Sequence, residues 1–348
     1  MTQQRNQDED IAIVRLGEGP ALREDDIDGW HRLEVACAAV DAAVDEDGQD
    51  VPERRRRAEL MRSTPANGRV LRWAARDAGG ETVGSARLYL PDTDGVEHLS
   101  LIRIAVHPER RRRGIAGRLL AAVGAEARAA GRSSLTVTAR AGSAAEQALT
   151  AWGFAPGAPL VRLRLDVAGC DREALRSTVQ AASEGYELAR WQGVVPKDLA
   201  GAYARARNAM GDVPGQDMDW ARAPWDEARL RSFAETHAGK GDALLTVAAL
   251  YLDERGDEAV AGFSEILLSG GTGPLARQSD TAVVRSHRGR GLGLWVKAAM
   301  LQWLLGAHPE VRTVMTHCAE ENHHMIAINE RLGFAEAGRS REFRLSLD

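Results

Sequence analysis

The stretch Arg288-Gly289-Arg290-Gly291-Leu292-Gly293 carries the residue types that hold an anion without a metal. It follows a short apolar run (Ala282, Val283, Val284) and opens an apolar-periodic one (Leu292, Val296, Met300, Trp303, Leu304). Read as strand, glycine turn and helix start, it gathers bare backbone N–H groups and the positive end of a helix dipole around one point. Glycines let the backbone approach the guest and take positive φ where the turn needs it. Arg288 and Arg290 add charge, and a pyrophosphate is the guest that fits. The competing reading is a basic surface turn ahead of an ordinary amphipathic helix.

A second copy lies upstream. Arg111-Arg112-Arg113-Gly114-Ile115-Ala116 follows Ile102, Ile104 and Val106 and opens Ile115, Leu119, Val123 and Ala127. Arg288 and Gly291 each lie 177 residues after Arg111 and Gly114. Each copy is followed by a helix-like segment that ends in Gly-Phe, Gly153-Phe154 and Gly333-Phe334, 180 residues apart. Two unlike signatures repeating at nearly one offset indicate a duplicated domain.

Arg-x-x-Gly-x-Gly/Ala at a strand-to-helix turn resembles the acetyl-CoA motif of the GCN5-related N-acetyltransferases (GNAT), and the Gly-Phe endings resemble that family's next block. The whole chain is similar to tandem, two-domain actinobacterial members. The resemblance implies that acetyl-CoA is held by Val283, Val284, Arg288, Gly289, Arg290, Gly291, Leu292, Gly293 and Asn322, and in the first half by Val106, Arg111, Arg113, Gly114 and Ala116. It implies acyl transfer to a primary amine by direct attack, the N–H of Val283 or Val106 stabilising the charge on the acyl oxygen. The family's tyrosine acid falls at Asn329 and Leu149, neither an acid, which puts a tyrosine mechanism in doubt for both halves. Asn322 has only Gly142 opposite it, and Met325-Ile326 with Asn329 fits the tandem group. The second half is therefore expected to be catalytic and the first degenerate. Glu265, Asp280 and Asn329 are the catalytic candidates. The plainer readings are strand carboxylates bonded to structure, a helix cap at Asn322 and a surface amide at Asn329. A non-catalytic CoA-binding scaffold, or an enzyme acting on a protein amine, remains the alternative.

The elements that must position these groups follow from pattern. The fold class expected is α/β (α+β): two domains, each a mixed, mostly antiparallel twisted sheet flanked by helices. Their bounds are 1–167 and 185–348, with a connection at 168–184 in which a helix from Arg172 to Ala182 is expected. Leu160 to Leu165 alternates with arginine, as in an edge strand. Arg54 to Arg57 reads as a solvated helix face. Trp220, Trp225 and the loop from Gly211 to Pro224 are candidates for the acceptor pocket, the plainer reading being tryptophans in the core. His317, Cys318, Glu320, Glu321, His323 and His324 read as a polar loop, with no metal expected.

Composition bounds the rest. The 348 residues suit two domains, and a net charge of −5 with pI near 6.0 argues against a nucleic-acid binder. Cys37, Cys170 and Cys318 lack pairing or metal spacing and read as reduced thiols. There is neither an apolar leader nor a run long enough to span a bilayer, so a cytoplasmic monomer or homodimer acting on a small-molecule amine is expected, with no nucleic-acid or membrane partner.

Overall fold

The computed structural model describes residues 11–40, 51–63, 65, 68–92, 98–181, 184–208, 224–253 and 256–347. The chain divides into two compact units, Met1–Gly157 with Glu342–Asp348, and Ala158–Arg341. This partition differs from the division at 167 and 185 expected above, because strands at both ends pack where the repeat pattern does not put them.

Unit 1 contains β1 (Ala12–Arg15), α1 (Glu24–Val40), α2 (Arg54–Arg62), β2 (Gly68–Arg76), β3 (Thr82–Pro91), β4 (Leu101–Val106), α3 (Ile115–Ala129), β5 (Ser134–Arg140) and α4 (Ala144–Ala151). Strands β1 to β4 pair antiparallel in sequence order, and β5 joins β4 in parallel. Ile115, Leu119, Val123 and Ala127 recur at helical spacing on α3 and are buried against Leu71, Trp73, Leu88 and Ile102. The opposite sheet face carries Ala74 under Ile27 and Trp30 of α1 and Met61 of α2.

The last strand, β12 (Ala335–Ser346), crosses the unit boundary. Its C-terminal end belongs to unit 1. Phe343 and Leu347 lie in the α3-side core, the Leu347 N–H donates to Ser133 O at 2.8 Å, and Arg128 Nε donates to Leu347 O at 2.9 Å.

Unit 2 repeats the plan with β6 (Ala155–Asp166), α5 (Arg172–Gln180), β7 (Glu187–Gln192), α6 (Lys197–Asn208), α7 (Glu227–Gly239), β8 (Ala243–Leu252), β9 (Glu258–Leu268), β10 (Leu275–Val283), α8 (Leu292–Ala307), β11 (Thr313–Ala319) and α9 (His323–Arg331). Its strands run in the order β6-β11-β10-β9-β8-β7. The expected edge strand at Leu160–Leu165 is not an edge. It lies between β12 and β11, pairs antiparallel with β11 from Leu160↔Ala319 to Asp166↔Thr313, and Arg162 is buried with its Nη2 donating to Ala337 O at 3.3 Å. The helix expected within 168–184 is α5, which packs on α8, and Trp295 Nε1 donates to Val179 O at 3.0 Å. That cover explains why α8 is apolar on nearly every side, a pattern only a buried helix sustains.

Because Phe343 is 1% exposed inside unit 1, Phe343→Ala is expected to destabilise that unit by about 3–5 kcal/mol. Denaturant unfolding measures it, and a loss under about 1 kcal/mol would show that this strand is not part of the core.

Candidate active site

In unit 2 the parallel strands β10 and β11 pair only at Leu275↔Thr313, Ala276↔Val314 and Arg277↔Met315. Beyond that point they part, with Thr316 Oγ1 donating across the fork to Gln278 O at 3.2 Å. A register shift between Gln278 and Thr281, where Ser279 and Asp280 bulge against β9, marks the same place. Each strand keeps its outer partner, β9 or β6. The inner edges beyond the fork therefore line a crevice with backbone polar groups. The Val284 N–H donates to Ala261 O at 2.8 Å on the β9 side. Successive amides on a strand point to opposite edges, so the Val283 N–H faces the crevice. Val284 itself has no amide left to offer a guest.

At the end of β10 the chain makes a 3₁₀ turn at Arg285–His287 and enters α8 through Gly291. Gly289 and Gly291 have φ of 79° and 76°, and a Cβ on either would meet no atom within 4 Å. Gly291 offers no side-chain cap, and the first helical bond is Trp295 N–H to Gly291 O at 3.1 Å. The amides of Leu292, Gly293 and Leu294 thus have no partner within the helix. Gly293 is needed for another reason: a Cβ there would come within 3.2 Å of Ile328 Cδ1 and 3.7 Å of Val283 Cγ2. Arg288 Nε donates to Val283 O at 3.0 Å, so this arginine braces the turn while its head stays exposed, as Arg290 is. The open cradle and bare amides fit a diphosphate.

Unit 1 builds the same device. β4 and β5 pair only at Leu101↔Thr136, His107 N–H donates to Val83 O at 2.9 Å, and the Val106 N–H therefore faces the fork. Arg111 Nε donates to Val106 O at 3.2 Å, matching Arg288, and Arg113 Nη2 folds back on Glu109 O at 3.5 Å. Gly114 has φ of 76° and leads into Ala116 of α3, but the residue matching Gly289 is Arg112, held at φ of 64°. An L side chain in that region costs on the order of 1–2 kcal/mol.

Glu265 and Asp280, expected as separate acid–base candidates, are brought together by a residue the sequence reading missed. Arg207 of α6 donates from Nη1 to Glu265 Oε1 and from Nη2 to Asp280 Oδ2, both at 2.6 Å. Tyr203, one turn earlier, donates its hydroxyl to the same Glu265 oxygen at 2.6 Å. Arg207 lies over the Trp225 ring at 3.9 Å, and Arg229 lies over that ring at 4.1 Å. Burial raises the Glu265 carboxyl above its usual range, against the pull of Arg207. Burial alone would weaken the Arg207 cation, but Glu265, Tyr203 and Asp280 outweigh it. Glu265 Oε2 and Gln278 Oε1 are buried without a donor. One cation thus serves two carboxylates, and only Asp280, with its side chain 36% exposed, reaches solvent.

The matching positions of unit 1 have the opposite sign. Thr246 pairs with Glu265 on β8 and β9, and the bulge at Asp280 lies alongside on β10. In unit 1 Arg72 pairs with Arg87, and Arg87 with Arg103, across β2, β3 and β4. Burial, with Arg87 and Arg57 nearby, lowers Arg72 to about 10.

Asn322 is the N-cap of α9, its Oδ1 accepting from the Met325 N–H at 3.1 Å. The plainer reading therefore describes at least one of its atoms. Asn329 is not the surface amide of that reading: it is 1% exposed, and neither its Oδ1 nor its Nδ2 has a partner. Beside α9, the Lys297 Nζ lies 5.7 Å from the Phe334 ring centre, and Lys297 is 1% exposed. Among the described residues no group of three metal-ligating side chains assembles. Trp220 and residues 211–223 of the expected pocket loop lie outside the described residues. Arg207 was legible as the i+4 partner of Tyr203, and Lys297 as a lone charge in an apolar helix.

Removing one partner of a buried ion pair leaves the other uncompensated, at about 3–5 kcal/mol, so Arg207→Met is expected to lower stability by that much. Adding Glu265→Gln to it should recover most of the loss. Strictly additive effects in a double-mutant cycle of unfolding energies would show that the two groups are not coupled.

Residues 32–154 and 215–334 each match the acetyltransferase (GNAT) family. No curated protein matches by sequence. Among solved structures, a tandem GNAT protein from the clavulanic acid biosynthesis pathway is 27% identical, with a TM-score of 0.75 over 97% of this chain and 99% of that one. A GCN5-related N-acetyltransferase from Sphaerobacter thermophilus shares the fold at 16% identity, with a TM-score of 0.64 over 96% of each chain. Two forks, two bare helix starts and two matched segments covering most of the sequence have one explanation: the chain belongs to the GNAT acetyltransferase family, as a tandem pair of its domains.

Proposed function

We propose that the protein transfers an acetyl or other short acyl group from coenzyme A to a primary amine of a small molecule, and that unit 2 does the chemistry. The observation that carries the choice of acceptor is charge. Beside the fork of unit 2 stand two carboxylates on one guanidinium, with two buried acceptor oxygens left over. A cationic, donor-rich amine complements such a site, whereas the arginine row at the matching place in unit 1 repels one. The structural relative from a small-molecule biosynthetic pathway supports an acceptor of that size.

In this reading the amides of Leu292, Gly293 and Leu294, with Arg290, hold the diphosphate, and Asn322 lies near the pantetheine arm. The Val283 N–H donates to the acyl oxygen as it gathers charge. An alkyl amine is protonated at neutral pH, with a pKa of roughly 10. Asp280, exposed at the bulge, takes its proton directly or through water. Arg207 keeps Asp280 in place, and Glu265, out of reach of solvent, orients Arg207. Unit 1 keeps Arg111, Gly114 and Ala116, so it is a second, non-catalytic place for the same nucleotide.

A thiol-release assay over a panel of amines tests the reading. Silence on every amine, with coenzyme A still bound, would make the protein a binding scaffold. Gly291→Val is expected to abolish both coenzyme A binding to unit 2 and turnover, because φ of 76° excludes a branched side chain. Gly114→Val should leave turnover within a few-fold, and equal loss at both glycines would place the chemistry in the wrong half. Asp280→Asn should lower kcat by about 100-fold with coenzyme A affinity unchanged.

A further inference from the structure

Lys297 has the Phe334 ring near its ammonium but no counter-ion. It lies on α8 six residues past the turn glycine Gly291 and one helical turn past Gly293, which packs against Val283 and Ile328. It is 1% exposed, and among the described residues it has neither a hydrogen-bond nor an ion-pair partner. A lysine buried without a counter-ion is rare, because desolvating an unpaired cation costs several kcal/mol. The elements around it offer no anion. On α5, Glu173 pairs with Arg176. Glu265 of β9 and Asp280 of β10 are spent on Arg207, and Glu258 of β9 is exposed, as are His323, His324, Glu330 and Arg331 of α9. The titratable neighbour that acts on it is Cys318 of β11, past the fork on the strand opposite Val283. Burial lowers Lys297 to about 7, and burial raises the Cys318 thiol.

Unit 1 serves as an internal control. Counting from Gly114 as from Gly291, its residue at this position is Leu120, half-buried against the α3-side core, and opposite Asn329 it has the buried Leu149. The bonds that set α4 and α9 are the same, Phe154 N–H to Leu149 O and Phe334 N–H to Asn329 O, each 3.0 Å. The fold is thus content with two leucines. In unit 2 both are polar, both are buried, and neither side chain has a hydrogen-bond partner, beside the crevice where the reacting thioester belongs.

We propose that Lys297 is the proton donor of the reaction, protonating the sulfur that leaves the acyl group, a task Asn329 cannot perform. The inference rests on the acyl transfer argued above. The acceptor nitrogen forms its bond to the acyl carbon, the carbon–sulfur bond breaks, and the electron pair on sulfur takes a proton from Lys297 Nζ. The acceptor nitrogen, arriving as an ammonium, loses two protons through Asp280 and water, one before it attacks and one as the amide forms; Lys297 regains one from solvent, so the cycle balances with one proton released. The departing thiolate is also the anion that the buried ammonium lacks, and Asn329 Nδ2 is a donor free to orient it.

Lys297→Met separates this role from a structural one. A structural lysine, replaced by an apolar chain of similar length, leaves turnover intact. A proton donor does not: kcat should fall by about 100-fold while coenzyme A affinity and the acceptor KM stay within about threefold. The decline of wild-type kcat above pH 7 should vanish with it. Two readouts need no turnover. A ¹³Cε-lysine resonance should titrate near pH 7 in the wild type and be absent from the variant. Because the folded chain holds this proton more weakly than the unfolded one, wild-type unit 2 should gain stability as pH climbs from 7 towards 10.5, and the variant should lack that gain. Lys297→Gln takes the place of the methionine variant should that fail to fold. Wild-type kcat in either variant, or a resonance titrating near 10.5, overturns the assignment. Wild-type protein that binds no coenzyme A and releases no thiol overturns instead the function on which it rests.

Discussion

Two parallel strands that stop pairing, after three residues in unit 2 and after one in unit 1, impose the shape of each unit's crevice. While β10 and β11 run together, their amides and carbonyls satisfy one another; past Arg277 and Met315 they cannot. The bulge at Ser279–Asp280 bends β10 away and turns Asp280 outward, and the amide of Val283 is left facing the gap. The glycine turn follows at once because the strand end must feed α8 back over the sheet. Burial of α8 on nearly every side, with α5 as its cover, holds the bare helix start still. A site made of main chain is only as well placed as the elements that carry it.

Duplication has left one backbone dressed in two ways. The Arg111 and Arg288 braces, the φ of Gly114 and Gly291, and the crevice-facing amides of Val106 and Val283 are shared. The side chains around them are not. Unit 1 has Arg72, Arg87 and Arg103 in register, Leu149 in its core with Leu120 packed against it, and a strained Arg112; unit 2 has Glu265 and Asp280 on Arg207, with Asn329 buried and unpaired and Lys297 buried without a counter-ion. Geometry alone would not separate the halves, whereas charge and satisfaction of polar atoms do.

Much of this was legible before any coordinates. Glycines at a strand-to-helix turn report φ directly, and two copies at one offset report the duplication, so the turn residues were found at their numbers. Glu265 and Asp280 were legible as strand carboxylates, but their meeting on Arg207 was not, since α6 is distant in sequence and approaches the sheet only in three dimensions. The strand at Leu160–Leu165 misled because alternation with arginine imitates an exposed face; Arg162 is buried by bonding to a backbone carbonyl instead. The unit boundaries escaped for a related reason. Periodicity tells which residues form a strand, not which sheet accepts it.

The placement of Phe343 and Leu347 in the core of unit 1 has a bearing on how the molecule is made. A ribosome delivers the amino-terminal half first, yet that half lacks its closing strand until residue 342 and those after it emerge. Throughout the synthesis of Ala158–Arg341, α3 and β5 keep an apolar seam uncovered, the kind of surface that nascent-chain chaperones hold and that sticks to neighbours on a crowded polysome. A message broken late in its reading frame would yield a product with its first half unfinished, visible to proteolysis as a truncated chain.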